Sequence, residues 1–361
     1  MKKMDELNVG VVGCGEVANG HLRAWKKVNK AKILAVIDIN ASLAKNMAEK
    51  WGVPKYFTSL SEMMDKLPVN VIDICTPPST HMPLAVEAME NGVNVVMEKP
   101  MTMTVSDAKI IVEVQKKSGV TAGVIHNWLF ENTIIKAASL IKEGHLGEML
   151  SVEIEAINTK DDFMASHENH WSHKYPGGRF GEMFAHPTYL IRHFLGGEET
   201  IEDIQVAKLG DYPWMKSDEL TALFKVGKKV GRAYASFNAP RNSIYVSLYG
   251  KKAILKIDII NATMLKLDRR GVAAWDLGSD TIGQAFQIFG APIRNASVRI
   301  TQRWVSGHDN YIRLFAESLL TGGPPPVSVE EGLKVVKSVE KACELIQKAE
   351  IDSVADTKTE S

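Results

Sequence analysis

The chain has 361 residues, and a typical domain size of roughly 100 to 200 residues predicts about two domains. Apolar residues make up 45% of the chain and charged residues 24%, a balance that supports a packed core and excludes global disorder. Lys plus Arg and Asp plus Glu each total 43, so the formal net charge of zero argues against a protein that binds nucleic acid.

The first third of the chain alternates apolar runs with amphipathic segments of helical period. Because strands that alternate with helices form right-handed crossovers, we predict a doubly wound parallel sheet with helices on both faces, over residues 1–125. The predicted strands are 7–12, 33–39, 69–75, 93–97 and 121–125, and the predicted helices are 16–29, 41–51, 81–91 and 104–118.

Beyond residue 125 the pattern changes, and we assign residues 126–350 to a second α/β domain. Several β-rich segments follow one another without helices between them, which predicts an antiparallel or mixed sheet. The expected order is a helix at 132–143, a strand at 149–157, a loop rich in His and Gly at 158–181, a helix at 187–195, strands at 201–209, 219–226, 230–238, 243–249, 252–258 and 262–267, helices at 308–320 and 328–350, and a polar tail at 351–361.

The first strand is followed by a glycine turn, Gly13-Cys14-Gly15-Glu16-Val17-Ala18, that opens a helix. This G-x-G-x-x-A pattern in this context is typical of a dinucleotide-binding turn. Gly13 permits the tight turn, Gly15 lets a pyrophosphate approach the backbone, and Ala18 lets the helix pack closely on the strand. The N-terminus of that helix offers N–H groups and a positive dipole end to phosphates.

An acidic residue, Asp38, ends the second strand 23 residues after Gly15. This is close to the spacing of a carboxylate that binds the ribose hydroxyls of a dinucleotide. Ile39 and Asn40 follow, so no cation stands there to accept a 2′-phosphate, and we predict NAD rather than NADP. The plain alternative is that the glycines form an ordinary turn and that Asp38 caps a helix.

The fourth strand is followed by Glu98-Lys99-Pro100. Ligands of open α/β sheets bind beyond the carboxyl ends of the strands, which is where Lys99 lies. A lysine there can donate to a substrate hydroxyl and stabilise the charge that develops on it. Considered alone, the tripeptide favours a solvated surface lysine.

Four motifs that occur in order resemble the Gfo/Idh/MocA family of oxidoreductases. They are the turn 13–18, Cys75-Thr76-Pro77-Pro78-Ser79-Thr80-His81, the segment from Gly92 to Glu98-Lys99-Pro100, and Gly177-Gly178 followed by His186. The resemblance covers residues 8 to 350. It implies a Rossmann domain, a C-terminal α/β domain with a large open, mostly antiparallel sheet that often forms homodimer or homotetramer contacts, and an active site between the domains.

The resemblance also implies roles for individual residues. Lys99 binds the reacting hydroxyl, His186 acts as acid/base, and Glu182 assists it. Cofactor contacts are implied for Gly13, Gly15, Glu16, Val17, Ala18, Asp38, Thr76, Pro77, Pro78, His81, Glu98, Lys99 and Asn127, and substrate contacts for Lys99, Asn127, Arg179, Glu182 and His186.

The proposed base has a specific helical context, because Pro187 after His186 favours the first turn of a helix. A neutral imidazole can take the proton that an alcohol loses on oxidation. We therefore expect the helix dipole to disfavour the imidazolium form and keep His186 neutral.

The sequence departs from the family pattern at three places. Glu182 replaces the usual Asp four residues before the histidine, and Phe184 replaces a glycine. After Asn127, Trp128 and Leu129 replace residues that are often basic. These departures concern the substrate more than the reaction type.

Three evenly spaced histidines, His167, His170 and His173, raise the alternative of a zinc site. The H-E-x-x-H spacing is absent, because His167-Glu168-Asn169-His170 is one residue short, and we predict no metal. Two alternatives stay open for this segment: a substrate contact by one or two of these histidines or by Arg179, or ordinary polar loop residues.

No apolar run approaches the roughly 18 residues of a membrane helix, and residues 1–7 lack the apolar core of a secretory signal. The three cysteines, Cys14, Cys75 and Cys343, are too widely spaced for a disulfide framework or a CxxC site and fit a reducing cytoplasm. We expect a cytoplasmic NAD-dependent oxidoreductase acting on a sugar, a sugar derivative or a cyclitol. The alternatives are an NAD-dependent glycoside hydrolase with transient oxidation and a non-catalytic NAD-binding regulatory protein.

Overall fold

The computed structural model describes residues 3–159, 161–269, 278–279, 281–289 and 305–359, and the side chains of all these except 353–359. The chain packs as two compact units, Met1–Phe130 with Ser306–Lys337, and Glu131–Val305 with Ser338–Ser361. The range 126–350 assigned to one domain from the sequence thus includes a segment, 306–337, that packs with the first unit.

The first unit contains a six-stranded sheet in the order β3-β2-β1-β4-β5-β6, and every neighbouring pair is parallel. The strands are β1 (Leu7–Val12), β2 (Ala31–Ile37), β3 (Lys55–Phe57), β4 (Val71–Ile74), β5 (Asn94–Met97) and β6 (Ala122–Val124). The strand order reverses at β1, so the predicted doubly wound sheet is confirmed. The prediction missed β3, which is only three residues long and has no apolar run.

Helices connect these strands, as the crossovers require. They are α1 (Glu16–Lys26), α2 (Ala41–Trp51), α3 (Leu60–Lys66), α4 (His81–Glu90) and α5 (Val105–Ser118). The side chain of Asn40 accepts hydrogen bonds from the N–H groups of Ser42 and Leu43, so Asn40 and not Asp38 caps α2.

The second unit contains a seven-stranded sheet in the order β13-β12-β11-β7-β10-β9-β8. All neighbouring pairs are antiparallel except β7 with β10, which confirms the prediction of a mostly antiparallel sheet. The strands are β7 (Met149–Thr159), β8 (Thr200–Ala207), β9 (Glu219–Val226), β10 (Lys229–Ala239), β11 (Ser243–Gly250), β12 (Ala253–Asp258) and β13 (Thr263–Asp268).

Four helices of the second unit precede or interrupt this sheet: α6 (Asn132–Lys142), α7 (Phe163–Ser166), α8 (Gly178–Met183) and α9 (Ala185–Leu195). The segment 158–181, predicted as a loop, therefore contains α7, a 3₁₀ turn at Trp171–Lys174 and the start of α8. Helix α9 packs on the sheet beside Gly231, where an added Cβ would lie 2.8 Å from Ile191. Only glycine allows this close approach of helix and strand.

Helix α10 (Gly307–Thr321) returns the chain to the first unit. A capping box between Ser306 and Asp309 starts this helix, and its Tyr311 and Phe315 are fully buried in the same core cluster as Val9. The last helix, α11 (Val329–Thr359), extends past the end predicted at residue 350, because residues 351–359 contain neither Gly nor Pro. Residues 360–361 of the predicted tail lie outside the described residues.

Within the described ranges, no helix combines the length and the apolarity that are needed to cross a bilayer.

Candidate functional site

The glycine turn between β1 and α1 has the geometry of a phosphate-binding turn. Gly13 has a φ of 96°, and a Cβ added there would lie 2.9 Å from the carbonyl carbon and oxygen of Cys75. Gly15 has an ordinary φ of −74°, and a Cβ added there would meet nothing within 4 Å. The fold therefore requires glycine at residue 13, whereas Gly15 leaves an exposed stretch of backbone that a ligand can approach.

The N-terminus of α1 is not capped by a side chain, because its N-cap residue is Gly15. Glu16 and Val17 in the first turn are exposed, and Ala18 is fully buried against the sheet. The first N–H groups of a helix have no partners within the helix, and they bind anions well. The turn is thus suited to bind an anionic group, and its role in holding the pyrophosphate of a dinucleotide stays a prediction.

Asp38 lies directly after β2 and beside this turn. Its Oδ2 accepts a hydrogen bond from the N–H of Cys14 at 2.9 Å, and its Oδ1 accepts one from the N–H of Asn40 at 2.9 Å. A carboxylate has about four lone-pair positions, so Asp38 can still accept from ribose hydroxyls. The neighbouring Ile39 is 96% exposed. Burial, followed by the charge of Asp38, raises the pKa of the Cys14 thiol to about 12, so this thiol stays protonated.

The turn after β4 contains Thr76, Pro77 and Pro78 and leads into α4 through His81. The ring nitrogens of His81 lie 2.7 Å from the carbonyl oxygen of Thr76 and 3.2 Å from that of Met101. The ring is fully buried, and this burial lowers the pKa of His81. A neutral ring carries one N–H, so His81 donates to one of these two carbonyls and thereby stabilises the shape of the turn.

Lys99 lies beyond the carboxyl end of β5, as predicted, and it is half-buried. Its N–H donates to Oε2 of the buried Glu98 at 3.0 Å. Oε1 of Glu98 lies 2.9 Å from Nε2 of His21 and 2.9 Å from Nε2 of His308. The backbone of Lys99 is thus held in place by Glu98, which in turn contacts His21 and His308 in a buried polar network.

The sequence analysis missed His21, Asp73 and His308 as members of this network. Nδ1 of His21 lies 2.9 Å from Oδ2 of Asp73, which also accepts a hydrogen bond from Nε1 of Trp25 at 2.7 Å. The sequence indicated at two positions that a polar side chain would be buried: His21 lies on the apolar side of α1, and Asp73 interrupts the apolar strand β4. A charged group in such a position must find a partner, but the sequence does not show which one.

Asn127 follows β6 at the same edge of the sheet, in a 3₁₀ turn. Its side-chain Oδ1 is buried and has no hydrogen-bond partner within the described part of the chain. An unpaired buried carbonyl is costly, so this atom is suited to accept from a ligand. The preceding His126 is also buried, and this burial lowers its pKa to about 3.

In the second unit, His186 is the second residue of α9 and is 7% exposed. Its Nδ1 lies 2.6 Å from the hydroxyl of the buried Tyr189. Helix α8 ends at Met183, and only Phe184, in helical conformation, separates it from α9. Because the negative dipole end of α8 adjoins the positive end of α9, the dipole effect on His186 is weaker than the sequence implied.

Glu182 is 4% exposed, and its Oε2 accepts a short hydrogen bond from Nη1 of Arg179. The guanidinium of Arg179 stacks over the ring of Phe237 at 5.2 Å. Its Nε is buried without a hydrogen-bond partner within the described residues, at 3.9 Å from Oδ1 of Asp162. The structure thus brings two of the predicted substrate contacts, Arg179 and Glu182, into one ion pair.

The three histidines of the zinc alternative do not converge. Nδ1 of His167 lies 2.9 Å from the carbonyl oxygen of Phe163, and Nδ1 of His170 accepts from the N–H of Ser172 at 3.3 Å. Nε2 of His173 is buried and has no partner among the described residues. Of the described residues, those whose ligand atoms do converge within 4.8 Å are His21, Glu98 and His308, and His21, Asp73 and Cys75.

Two family models match this chain. Residues 7–126 match the oxidoreductase family with an NAD-binding Rossmann fold, and residues 134–256 match the GFO/IDH/MocA C-terminal domain. The chain therefore belongs to the Gfo/Idh/MocA family of oxidoreductases, as its motifs predicted.

Similar proteins extend this result. Oxidoreductase P35 of Formosa agariphila is 30% identical over 202 residues, which are 54% of this chain and 63% of that protein. The myo-inositol 2-dehydrogenase of Thermotoga maritima is 22% identical over 343 residues, 90% of this chain and 92% of that enzyme. The WlbA dehydrogenase of Bordetella pertussis, solved with NADH and UDP-GlcNAcA, has the same fold, with a TM-score of 0.78, 19% identity and 98% of both chains covered.

Proposed function

We propose that this protein is an NAD-dependent oxidoreductase that transfers a hydride between the nicotinamide and a secondary hydroxyl of a sugar, a sugar derivative or a cyclitol. One observation carries the proposal. The carboxyl edge of the parallel sheet presents the open backbone at Gly15, the carboxylate of Asp38 and the fixed Lys99 together. This is the edge at which doubly wound folds bind dinucleotides.

The cofactor is held by residues of the first unit. Gly13, Gly15 and the N-terminus of α1 receive the pyrophosphate, and Asp38 accepts from the ribose hydroxyls. The turn at Thr76, Pro77 and Pro78, shaped by His81, and the amide of Asn127 complete the contacts. NAD is preferred to NADP because residues 39–42 carry no cation for a 2′-phosphate. When bound, the nicotinamide accepts or returns the hydride.

Lys99 acts on the reacting oxygen. Its ammonium group donates a hydrogen bond to the hydroxyl and stabilises the negative charge that grows on this oxygen as the C–H bond breaks. Stabilisation of this kind is effective when the donor does not have to move. The backbone N–H of Lys99 donates to Oε2 of Glu98, and this hydrogen bond supports a fixed backbone from which the lysine side chain extends.

His186 exchanges the hydroxyl proton. For Nε2 to accept it, Nδ1 must carry the other ring proton and donate it to the hydroxyl of Tyr189. The hydroxyl of the buried Tyr189 can accept this proton, so the contact is compatible with the reactive tautomer of the base. Glu182, whose charge is balanced by Arg179, assists by orienting the substrate.

The substrate class is a polyhydroxy compound. Among the residues that the structure describes, Asn127 and Arg179 each have a buried polar atom without a hydrogen-bond partner, and these atoms are suited to bind hydroxyl or carboxylate groups. Among the relatives, one is named for myo-inositol, and the WlbA structure holds a nucleotide sugar acid. Trp128 and Leu129 replace basic residues and favour a substrate with less negative charge in that position.

The proposal also covers the cellular compartment and the oligomeric state of the protein. Cys14, Cys75 and Cys343 are all buried and unpaired, which supports a reducing cytoplasm. The seven-stranded sheet leaves Leu223 and Val230 40% and 45% exposed on one face, and this supports a homodimer or homotetramer.

The test is turnover of NAD or NADP with a panel of sugars, sugar acids, sugar nucleotides and inositols, measured by the absorbance of the reduced cofactor. We expect Lys99→Ala and His186→Asn each to lower kcat by about 100-fold or more. Lys109→Ala, which removes an exposed lysine of α5, is the matched control and keeps the wild-type rate.

The other outcomes separate the alternatives. If no compound of the panel is turned over, but NAD stays bound through purification, the result indicates the NAD-dependent hydrolase. Hydrolysis of aryl glycosides then tests this alternative directly. NAD binding without any turnover, unchanged in Lys99→Ala and His186→Asn, indicates a regulatory protein. Failure to bind either dinucleotide contradicts the proposal as a whole.

A further inference from the structure

A buried row of polar side chains adjoins the backbone of Lys99, and the proposed reaction assigns these side chains no chemical step. The ring of His21 on α1 stands between two carboxylates, Asp73 on β4 and Glu98 after β5. Nδ1 is 2.9 Å and 3.0 Å from the two Asp73 oxygens, and Nε2 is 2.9 Å from Oε1 of Glu98. His21 and Asp73 are fully buried, and Glu98 is 6% exposed.

The other contacts of the two carboxylates decide where the protons are. Asp73 accepts from Nε1–H of Trp25 at 2.7 Å, and the thiol of Cys75 lies 3.7 Å from its other oxygen. Glu98 accepts from the N–H of Lys99 at 3.0 Å. Several donors around a carboxylate favour its ionised form. An ionised carboxylate only accepts, so both nitrogens of His21 must carry protons.

His308 and the balance of charge agree with this assignment. Nε2 of His308 lies 2.9 Å from Oε1 of Glu98, and its side chain is 22% exposed. Two buried carboxylates without a cation would be strongly destabilising, and a charged His21 between them offsets this cost.

The pKa shifts have the same direction. Burial alone lowers the pKa of His21, but the charge and hydrogen bond of Asp73, together with Cys75, outweigh it, and the pKa lies well above its usual value. Burial alone raises the pKa of Glu98, but hydrogen bonds from His21 and His308 hold it well below the usual range.

We propose that His21 is a permanently charged imidazolium and a positioning residue, which fixes Lys99 through Glu98 and ties the catalytic tripeptide to the cofactor helix α1. His21 itself does not touch the substrate. It holds Oε1 of Glu98, and Oε2 of the same carboxylate holds the N–H of Lys99. The functional part of this inference rests on the proposed function; the charge state of His21 does not.

A divalent metal is the competing occupant of this place. Nε2 of His21, Nε2 of His308 and a Glu98 oxygen lie within 4.8 Å of one another. Asp73 on Nδ1 of His21 resembles the outer carboxylate that often orients a metal-bound histidine. A metal, however, needs Nε2 without its proton, whereas the imidazolium needs it protonated. One measurement therefore separates the two.

The first experiment is nitrogen NMR of the whole protein labelled in its histidine rings, with His21→Gln to assign the signals and elemental analysis for bound metal. We expect both ring nitrogens of His21 to be protonated at pH values above the usual histidine pKa of about 6.5, where an ordinary imidazole is neutral. An unprotonated nitrogen in this range, or a stoichiometric metal ion that is lost in His21→Gln, overturns the proposal. This result does not depend on any enzymatic activity.

The second experiment measures the positioning role. In His21→Ala, kcat should fall about 10- to 100-fold with little change in the Kd for NAD, and the pH profile of kcat should gain an ionisation, because Glu98 without its partner titrates at higher pH. Imidazole added to the buffer should restore kcat, whereas 1-methylimidazole, which has one N–H fewer, should not.

Controls keep this test decisive. His145→Gln removes an exposed histidine of the second unit and should leave kcat and the pH profile unchanged. If His21→Ala does not fold, His21→Gln and Asp73→Asn replace it, with the same expected change in the pH profile. An unchanged kcat and pH profile in a folded variant contradicts the positioning role. Wild-type protein without activity on any substrate, together with a charged His21, contradicts the proposed function alone.

Discussion

Buried histidines of the first unit differ in charge because their neighbours differ. His21 lies between two carboxylates, and its pKa is raised. His81 lies between two backbone carbonyls, and burial lowers its pKa. His126 is 3% exposed, and burial, which outweighs the opposing charge of Glu98, lowers its pKa to about 3. Equal burial thus gives opposite protonation states, and the charged partner decides between them.

The low pKa of His126 makes stability depend on pH. Between about 3 in the folded protein and 6.5 in the unfolded chain, the unfolded state binds more protons. The free energy of unfolding therefore falls as the pH falls through this window, by at most about 1.4 kcal/mol per pH unit for this one group. We expect His126→Gln to lose this contribution and to show a shallower decline of stability in acid.

Urea unfolding at a series of pH values below 6.5 measures this slope. The surface variant His145→Gln provides the control and should keep the wild-type slope. If His126→Gln declines as steeply as the wild type, then His126 does not enter the folded state as a neutral, buried group.

At the scale of the element, the glycine turn separates what the fold needs from what the cofactor needs. Gly15→Ala adds a methyl group into open space at an ordinary φ, so the thermal stability should stay close to that of the wild type. The same methyl group lies where a pyrophosphate would approach, and we expect NAD binding to weaken at least about 10-fold. Calorimetry and thermal unfolding of the same samples measure both quantities.

Two neighbouring glycines supply the comparison. Gly13→Ala should destabilise the protein itself, because its φ is 96° and its Cβ would meet the Cys75 backbone at 2.9 Å. Gly20→Ala, within α1 and with nothing within 4 Å, should affect neither stability nor binding adversely. Unchanged NAD affinity in Gly15→Ala would show that the cofactor does not approach this turn.

The long elements could be predicted from the sequence because their hydrophobic periods are local. The prediction placed β1 and β9 at their observed bounds, whereas it missed β3, which has three residues and little burial. The segment 158–181 contains short helical turns without an apolar period, so it was expected to be a loop. Helix α11 was expected to end too early, since the polar composition of 351–359 was given more weight than its lack of Gly and Pro.

The candidate site likewise contains residues that could be predicted from the sequence and residues that could not. The positions of Gly15, Asp38 and Lys99 were predictable, because each lies at or shortly after the carboxyl end of a predicted parallel strand and such ends meet at one edge. The network of His21, Asp73, Glu98 and His308 was not, because its members come from four separate elements and their pairing is a property of the packed core. The hydrogen bond between Tyr189 and His186 depends on the side-chain geometry of α9, and the sequence analysis did not anticipate it.

At the scale of the whole molecule, one exposed face of the sheet in the second unit leads to a testable prediction about the oligomeric state. Leu223 on β9 and Val230 on β10 are partly exposed on one face of the sheet. Helix α9 packs on the opposite face, beside Gly231. We expect the wild type to be a homodimer or homotetramer and the double variant Leu223→Asp, Val230→Asp to be a monomer, because buried unpaired charges oppose association.

Light scattering coupled to size-exclusion chromatography measures the mass in solution. Ile110→Asp, which changes an exposed apolar residue of α5 in the other unit, is the control and should keep the wild-type assembly. A monomeric wild type, or a double variant with unchanged mass, would contradict the assembly proposed for this face.

The return of the chain at α10 has a consequence for how the protein is made on the ribosome. Tyr311 and Phe315 cover the same core that contains Val9 and Val11 of the first strand, yet all of residues 131–305 are translated between them. Helices α1 and α2 pack on this core at once, but the part that α10 fills stays uncovered until translation is nearly finished. We expect the incomplete chain to be prone to aggregation until α10 is made, and a frameshift within residues 131–305 would also remove the α10 side chains that complete the first unit.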